Sequence, residues 1–496
     1  MKTSQVQIKT IPYRLSRTLF LLVLLSFTTV SSGAQEDIYE DMVACMDWGI
    51  EFLVDAQITE TIEGEKYKGE WPSQMCLQRA FPMMGKSRCL DDSNCFSVAS
   101  IHNALAEIYL AYPEYTSIPP TLDPAFEQIM SYKNGDGFNF WKLLPPTRNL
   151  KRGVVPDPQP WGRRPTNFDL EPIYVCNAAN VVEDADDTAL SYIAMALRKK
   201  ILESYPISEE YHFDTDSLAL ILDNYLDKDR NNRHWFNIYS GNDHDTGAYL
   251  TWLGEEYQFE NWNYFFDTFH DIFFLAPISE CYPHPYKPYI PYGSNNIDAV
   301  VNSNVLTALA MNEIEDAKGR PGAINYIKKK SKKRKYRRVG SYYPNSYHFP
   351  YAMSNAYANG TIELEDSCKK ICKNLLRKQA RNGSWKSKRN LNNRDRVMST
   401  AYALNTLINI GKIEEHQTKD AIEKAISYLM EHIQYDDNGR LYWEGGVFFS
   451  GGTVVRNNLI WKSDSFTTAV ILRAFSKYRQ YLETNYGLKR SDNPHR

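Results

Sequence analysis

Seven stretches of this chain begin alike, and that recurrence limits the fold more than any other feature of the sequence. They are Ser97–Ala106, Asp186–Met195, Asp245–Leu250, Asn302–Leu309, Ser354–Tyr357, Ser399–Leu404 and Ser463–Val470. Each starts with Ser, Asp or Asn, whose side-chain oxygen accepts the orphan N–H groups of a first helical turn. Most then run small and apolar on nearly every side, as a helix buried all round does. Between them lie amphipathic segments, clearest at Glu365–Gln379 and Thr418–Gln434. Alternation of buried and half-exposed helices, about fifty to ninety residues per pair, predicts an all-α chain: an α/α toroid of six hairpins with long loops. Inner helices would surround an axis and outer helices would shield them. Seven openings for six hairpins leave one in excess. Strand-like alternation is sparse, so little β structure is expected.

Composition agrees with one large unit. The chain is 43% hydrophobic and 24% charged, enough apolar material for a large core. A mean hydropathy of −0.50 excludes a multi-span membrane protein. A net charge of −3 gives no general affinity for nucleic acid. The 34 tyrosines are the compositional oddity and need a use in either packing or binding.

Residues 1–34 read as a signal peptide. Lys2, Lys9, Arg14 and Arg17 precede the apolar run Leu19–Phe27, and Ser32 and Ala34 suit a cleavage site. The toroid is expected over 35–485, a polar tail over 486–496, and the location is secreted or periplasmic. All eight cysteines fall beyond the leader, which favours some disulfides. Cys76, Cys89 and Cys95 share one loop-like stretch and have each other or Cys45 as partners. Cys368 and Cys372 share a helix face. The spacing favours no metal site.

A second repeated element joins the helices. Gln379-x-x-x-Gly383-x-Trp385 and Glu65-x-x-x-Gly69-x-Trp71 match one pattern, with looser versions at Asn134–Trp141 and Asp437–Trp443. The Gln or Glu would bond the next helix N-terminus, the Gly would take a tight turn, and the Trp would plug the gap between hairpins. This element resembles the QW motif of triterpene cyclases. Together with Asp184-Ala185-Asp186-Asp187-Thr188-Ala189, the chain resembles the squalene–hopene cyclase and class II terpene cyclase group of the terpenoid cyclase/protein prenyltransferase superfamily. The resemblance implies protonation-initiated cyclisation of a hydrophobic isoprenoid without a cofactor. Asp186 would deliver the proton, with Asp184 and Asp187 as supports. Clustered carboxylates cannot all ionise, so one keeps a proton. The mature chain has room for one toroid, whereas triterpene cyclases of this group have two. The Asp-rich motif of class I enzymes, the zinc pattern of protein prenyltransferases and the thioester motif of complement-like toroids are all missing.

Other readings of the residues stand beside this one. Asp184–Asp187 open a helix, and Asp caps helices without any catalytic role. That would leave a non-catalytic, ligand-binding toroid. The Lys328–Arg338 basic run has the charge to hold an acidic polymer or a lipid head group, and so to make peripheral membrane contact. Next to it, Tyr347, His348 and Tyr351, with Arg338, are the residue types of a secreted lyase acting on an acidic polysaccharide. Asp243-His244-Asp245 is expected to cap a helix or bind a cation.

Overall fold

In the computed structural model, residues 33–81, 85–145, 161–167, 179–204, 217–230, 243–255, 295–332, 339–387, 395–451 and 457–490 are described, with the single positions 215, 288, 290 and 336. The leader, Cys176, Cys281, Arg338 and most of the Pro-rich run at 281–292 lie outside these residues.

The described residues form twelve α-helices. In chain order they are α1 (Gly33–Ala56), α2 (Cys95–Ala111), α3 (Ile118–Met130), α4 (Ala185–Ser204), α5 (Ser217–Asp223) and α6 (Ala299–Met311). Then follow α7 (Arg320–Ser331), α8 (His348–Ala358), α9 (Glu365–Leu376), α10 (Arg396–Ile410), α11 (His416–Met430) and α12 (Asp464–Tyr486). The six even-numbered helices are the inner ones. Each packs on the next, and α12 returns to α2, closing the ring. The odd-numbered helices lie outside, and α1 seals the ring by packing on α12. This is the α/α toroid.

Patterning explains which helix goes where. In α6 every residue from 299 to 309 is buried. In α9 the buried set is Ser367, Cys368, Ile371, Cys372, Asn374 and Leu375, one stripe at helical spacing with charge elsewhere. Four inner helices start earlier than their small-residue runs suggest: α2, α6, α8, which opens at His348 so that Ser354 lies inside it and caps nothing, and α10, which opens at Arg396 rather than Ser399. Asn94 caps α2 by accepting from the Ser97 N–H at 2.8 Å, and Asp298 caps α6 by accepting from Val300 N–H at 2.7 Å. Ser463 caps α12 as expected, accepting from Phe466 N–H at 3.2 Å.

The excess opening is Asp245–Leu250, which is not helical. Asp245 has φ 49° and Gly247 φ 68°, and Tyr249 pairs with Leu226 in a short bridge. Neither half of the Asp243-His244-Asp245 expectation describes it. Asp243 is the counter-ion of the basic run instead, bonded to Lys329 at 2.6 Å and to Lys330.

The stretch 247–249 is a further copy of the linker element. Four linkers dock their ring-bearing residue by the same bond, a backbone N–H given to a polar side chain near the start of an inner helix. Trp385 donates to Thr400 Oγ1 at 3.1 Å and Trp443 to Thr468 Oγ1 at 3.1 Å. Phe138 donates to Thr188 Oγ1 at 3.0 Å and Tyr249 to Asn302 Oδ1 at 2.9 Å. So Phe138, not Trp141, takes the Trp place in its linker.

The plugs also satisfy outer-helix carbonyls. The indole N–H groups of Trp71, Trp385 and Trp443 reach Leu53, Leu375 and Leu429 O at 2.7, 3.0 and 2.7 Å. Gly383 has φ 82°, and a Cβ there would collide with the backbone of Lys424. Gln379 Nε2 bridges Gly383 O at 2.9 Å and Ala421 O at 2.7 Å.

In the first linker the sequence reading needs correction. The bridging side chain is Gln57, which donates to Gly69 O at 3.1 Å and Thr121 O at 2.8 Å. Glu65 is exposed and takes no such part. A small hairpin between Gln57 and Gly69, paired at Ile62 and Lys66, separates the two halves of the element.

One sheet was not foreseen. Strands β1 (Gln74–Leu77), β2 (Arg88–Asp91), β3 (Val447–Ser450) and β4 (Leu459–Lys462) are antiparallel in the order β2-β1-β4-β3. It stitches the first linker to the last. Cys76 stands opposite Cys89 in the register, and the two are disulfide-bonded. Cys45, Cys95, Cys368 and Cys372 are buried free thiols.

Candidate active site

The Asp cluster lies where α4 enters the ring. Its backbone is pinned on both sides: Asp184 N–H bonds Phe138 O at 3.1 Å, and Ala185 N–H bonds Thr251 O at 2.8 Å. Asp184 Oδ1 then accepts from the N–H groups of Asp186 at 3.0 Å and Asp187 at 2.8 Å. The capping role therefore belongs to Asp184, and it frees the other two carboxyls from that duty. Asp186 Oδ1 accepts from Asn304 Nδ2 of α6 at 2.7 Å. Among the described residues, Asp186 Oδ2 and Asp187 Oδ1 are buried without a hydrogen-bond partner.

Burial decides the protonation of this group. All three carboxyls are at most 5% exposed. Burial pushes Asp184 up to about 6, restrained by bonds from Asp187 and from the backbone N–H groups. Asp187 is pushed well above the carboxylate range by burial and then by the Asp184 charge. It thus stays protonated and donates to Asp184. Asp186 is pushed well up by burial, then by Asp184 and Asp298, against the Asn304 bond. The helix N-terminus favours the anion by up to ~2 kcal/mol, less than the several kcal/mol that desolvating an ion costs. The balance at Asp186 therefore favours the protonated acid over the anion.

A run of aromatic ring contacts begins beside the cluster. Trp252, bridged to Asp184, meets Tyr342 edge-on at 5.9 Å, and Tyr342 stacks on Phe449 at 5.8 Å. Phe449 touches Phe140 at 4.9 Å and Trp461 at 5.2 Å. Phe96 stacks on Phe448 at 5.6 Å, and Phe448 on Phe466 at 4.6 Å. Asn296 orients the first ring by donating to Tyr342 Oη at 2.9 Å.

Tyr347, His348 and Tyr351 open α8 and belong to this same interior. His348 is 3% exposed and sits against Tyr343 at 4.5 Å and Tyr402 at 4.6 Å. Burial pulls its imidazole down to about 3, so it is neutral. Tyr347 is buried, and burial raises its phenol. Tyr351 Oη accepts from Arg473 Nη1 at 2.6 Å, and Arg473 pairs with Glu107 of α2. Asp186 is not brought into contact with this trio. Among the described residues, sequence reasoning missed Asn304, Asp298, Tyr342 and Trp252. Asn304 stands within one of the recurrent openings, but nothing in its own neighbourhood signals a partner on another helix.

No family model matches the chain, and no curated protein matches it. Solved structures do match in fold. A variant of MstE, a type II terpene cyclase from Scytonema in complex with geranylgeranyl dihydroxybenzoate (substrate), superposes with a TM-score of 0.51 at 14% identity. The match covers 90% of this chain and 99% of that one. A protein from Actinoplanes gives a TM-score of 0.51 at 12% identity, over 88% and 99% of the two chains. Cellobiose 2-epimerase from Spirochaeta thermophila gives 0.49 at 11% identity, over 92% and 100%. At such identities the likeness is one of fold. The α/α toroid is shared with type II terpene cyclases.

Proposed function

We propose that this protein cyclises a polyisoprenoid by protonation, with Asp186 as the general acid. One observation carries the reading: a buried carboxyl whose one oxygen is held by Asn304 and whose other oxygen has no hydrogen-bond partner among the described residues. In the reaction the Asp186 O–H proton passes to a terminal alkene carbon or epoxide oxygen. The electron pair left in the O–H bond stays on the carboxylate. The substrate becomes a carbocation, and successive C=C pairs close C–C bonds onto it. Loss of a proton or capture of water ends the cascade, and solvent returns a proton to Asp186. Asn304 orients the carboxyl, Asp184 fixes the helix start, and Asp187 keeps a proton beside Asp184. Aromatic faces such as Tyr342 and Phe449 favour a passing cation, worth about 0.5–2 kcal/mol each.

The leader-like start and the Cys76–Cys89 bridge support a secreted or periplasmic setting for this activity. The polysaccharide alternative needs Tyr347, His348 and Tyr351 open to a polymer, and the burial of Tyr347 and His348 favours the isoprenoid reading over it. Incubation with squalene, polyprenyl lipids and polyuronates tests the choice. Cyclised hydrocarbon from an isoprenoid is expected; shortened polyuronate without any cyclised product overturns the proposal.

A further inference from the structure

A groove of about 600 Å³ opens on the outer wall of the ring, among α7, α9 and the start of α11. Among the described residues, four cations line it, Lys332, Lys370, Lys373 and Arg377, and no carboxylate does. The acids nearby on these elements are engaged elsewhere. Glu365 and Asp366 turn to Lys369 at 2.7 and 3.8 Å, Glu415 to Lys412 at 2.5 Å, and Glu363 to Arg320 at 2.8 Å.

The floor is built rather than fluid. Tyr336 and Asn374 are buried, and Asn374 Nδ2 donates to Tyr336 Oη at 2.9 Å. Arg377 Nη2 reaches Asn374 Oδ1 at 3.5 Å, which ties the guanidinium to this floor. Lys370 and Lys373 of α9 and Arg377, its C-cap, follow one another at helical spacing. Like charges so placed repel one another, and an anion between them relieves that repulsion. The chain as a whole is acidic, with a net charge of −3, so this density is local.

We propose that this groove binds a multivalent oxyanion of the phosphate-ester or diphosphate class. Lys370, Lys373 and Lys332 supply charge, and Arg377 supplies a planar fork suited to two phosphate oxygens. The volume lies within the range of small-ligand sites and takes one head group rather than a polymer track. The site stands on outer helices, so it does not depend on the reading of Asp186.

Calorimetric titration of the full chain with inorganic pyrophosphate tests this, beside co-sedimentation with phosphatidylcholine vesicles containing or lacking phosphatidic acid. The variant is Lys373→Ala/Arg377→Ala, both exposed positions, and the control is Lys424→Ala on α11. Binding that weakens at least tenfold in the double variant, stays unchanged in the control and falls with salt is expected. A response to pyrophosphate identifies a soluble ligand, and a response to phosphatidic acid vesicles alone identifies a lipid head group. No binding in either arm, or equal binding by the double variant, overturns the proposal. Unchanged circular dichroism and melting temperature in the variants exclude misfolding as the cause.

Discussion

Gln57 and Glu65 give the sharpest test of how the ring is fastened. By spacing alone, Glu65 is the bridging residue of the first linker; by geometry, Gln57 is. Gln57→Ala removes two hydrogen bonds, to Gly69 O at 3.1 Å and to Thr121 O at 2.8 Å. Each is worth about 0.5–1.5 kcal/mol net, and a carbonyl left dry costs more, so a loss of about 1–3 kcal/mol is expected. Gly69 cannot compensate by moving, because it has φ 91° and already abuts the backbone of Pro124. Glu65→Ala removes an exposed side chain and should leave stability nearly unchanged. Urea denaturation of both variants measures the difference, since a chain of this size shifts its melting point by only about 1 °C per kcal/mol. If Glu65→Ala costs as much as Gln57→Ala, the corrected linker is wrong.

Three further outcomes follow from the geometry. Glu107 is raised by burial but overruled by Arg473 and Lys477, which bring it down to about 2. Its folded value lies below its unfolded one, so its contribution is present above about pH 4.5 and is lost as pH falls through 2. Glu107→Gln leaves Arg473 buried beside Lys477 and should cost about 3 kcal/mol at neutral pH, read by urea denaturation; the difference from wild type should shrink only in strong acid. Reduction of Cys76–Cys89, which closes a sequence separation of 13, should lower stability by about 2–3 kcal/mol and loosen the four-stranded sheet, read by melting with and without dithiothreitol. Trp443→Ala empties a fully buried site between hairpins and should cost about 3–5 kcal/mol in a denaturant titration.

The ring itself was legible because burial all round leaves an unmistakable composition. Runs such as Ala299–Leu309 admit no charged residue, and amphipathic runs such as Glu365–Leu376 mark the outer layer. Asp245–Leu250 misled because a polar residue followed by Gly, Ala and an aromatic serves equally as a helix start and as a linker plug. The bond from Tyr249 N–H to Asn302 decides between the two, and it is a contact across 53 residues. Glu65 misled because an inserted hairpin carries the true partner out of the spacing. The sheet escaped notice because each strand has four residues and its partners come from opposite ends of the chain.

At the site, the capping role foreseen for the Asp cluster falls to Asp184. Asp186 bonds to Asn304 instead, and its part as an acid belongs to the proposed function. Sequence supplied the cluster but not its partner, since Asn304 lies 118 residues away on the next inner helix. The aromatic surplus divides likewise. Trp385 and Trp443 plug the linkers, while Tyr342, Phe449, Phe96 and Phe448 continue inward from the cluster.

The central claim is that the Asp186 proton starts the chemistry. The direct measurement is the rate of cyclised product formation by wild type and Asp186→Asn with the polyprenyl substrate that the wild type accepts. Asn keeps the shape and the contact with Asn304 but has no acidic proton. A fall of at least about 10²-fold, with the fold intact by circular dichroism, is the predicted result. Product formed by Asp186→Asn at the wild-type rate contradicts the account.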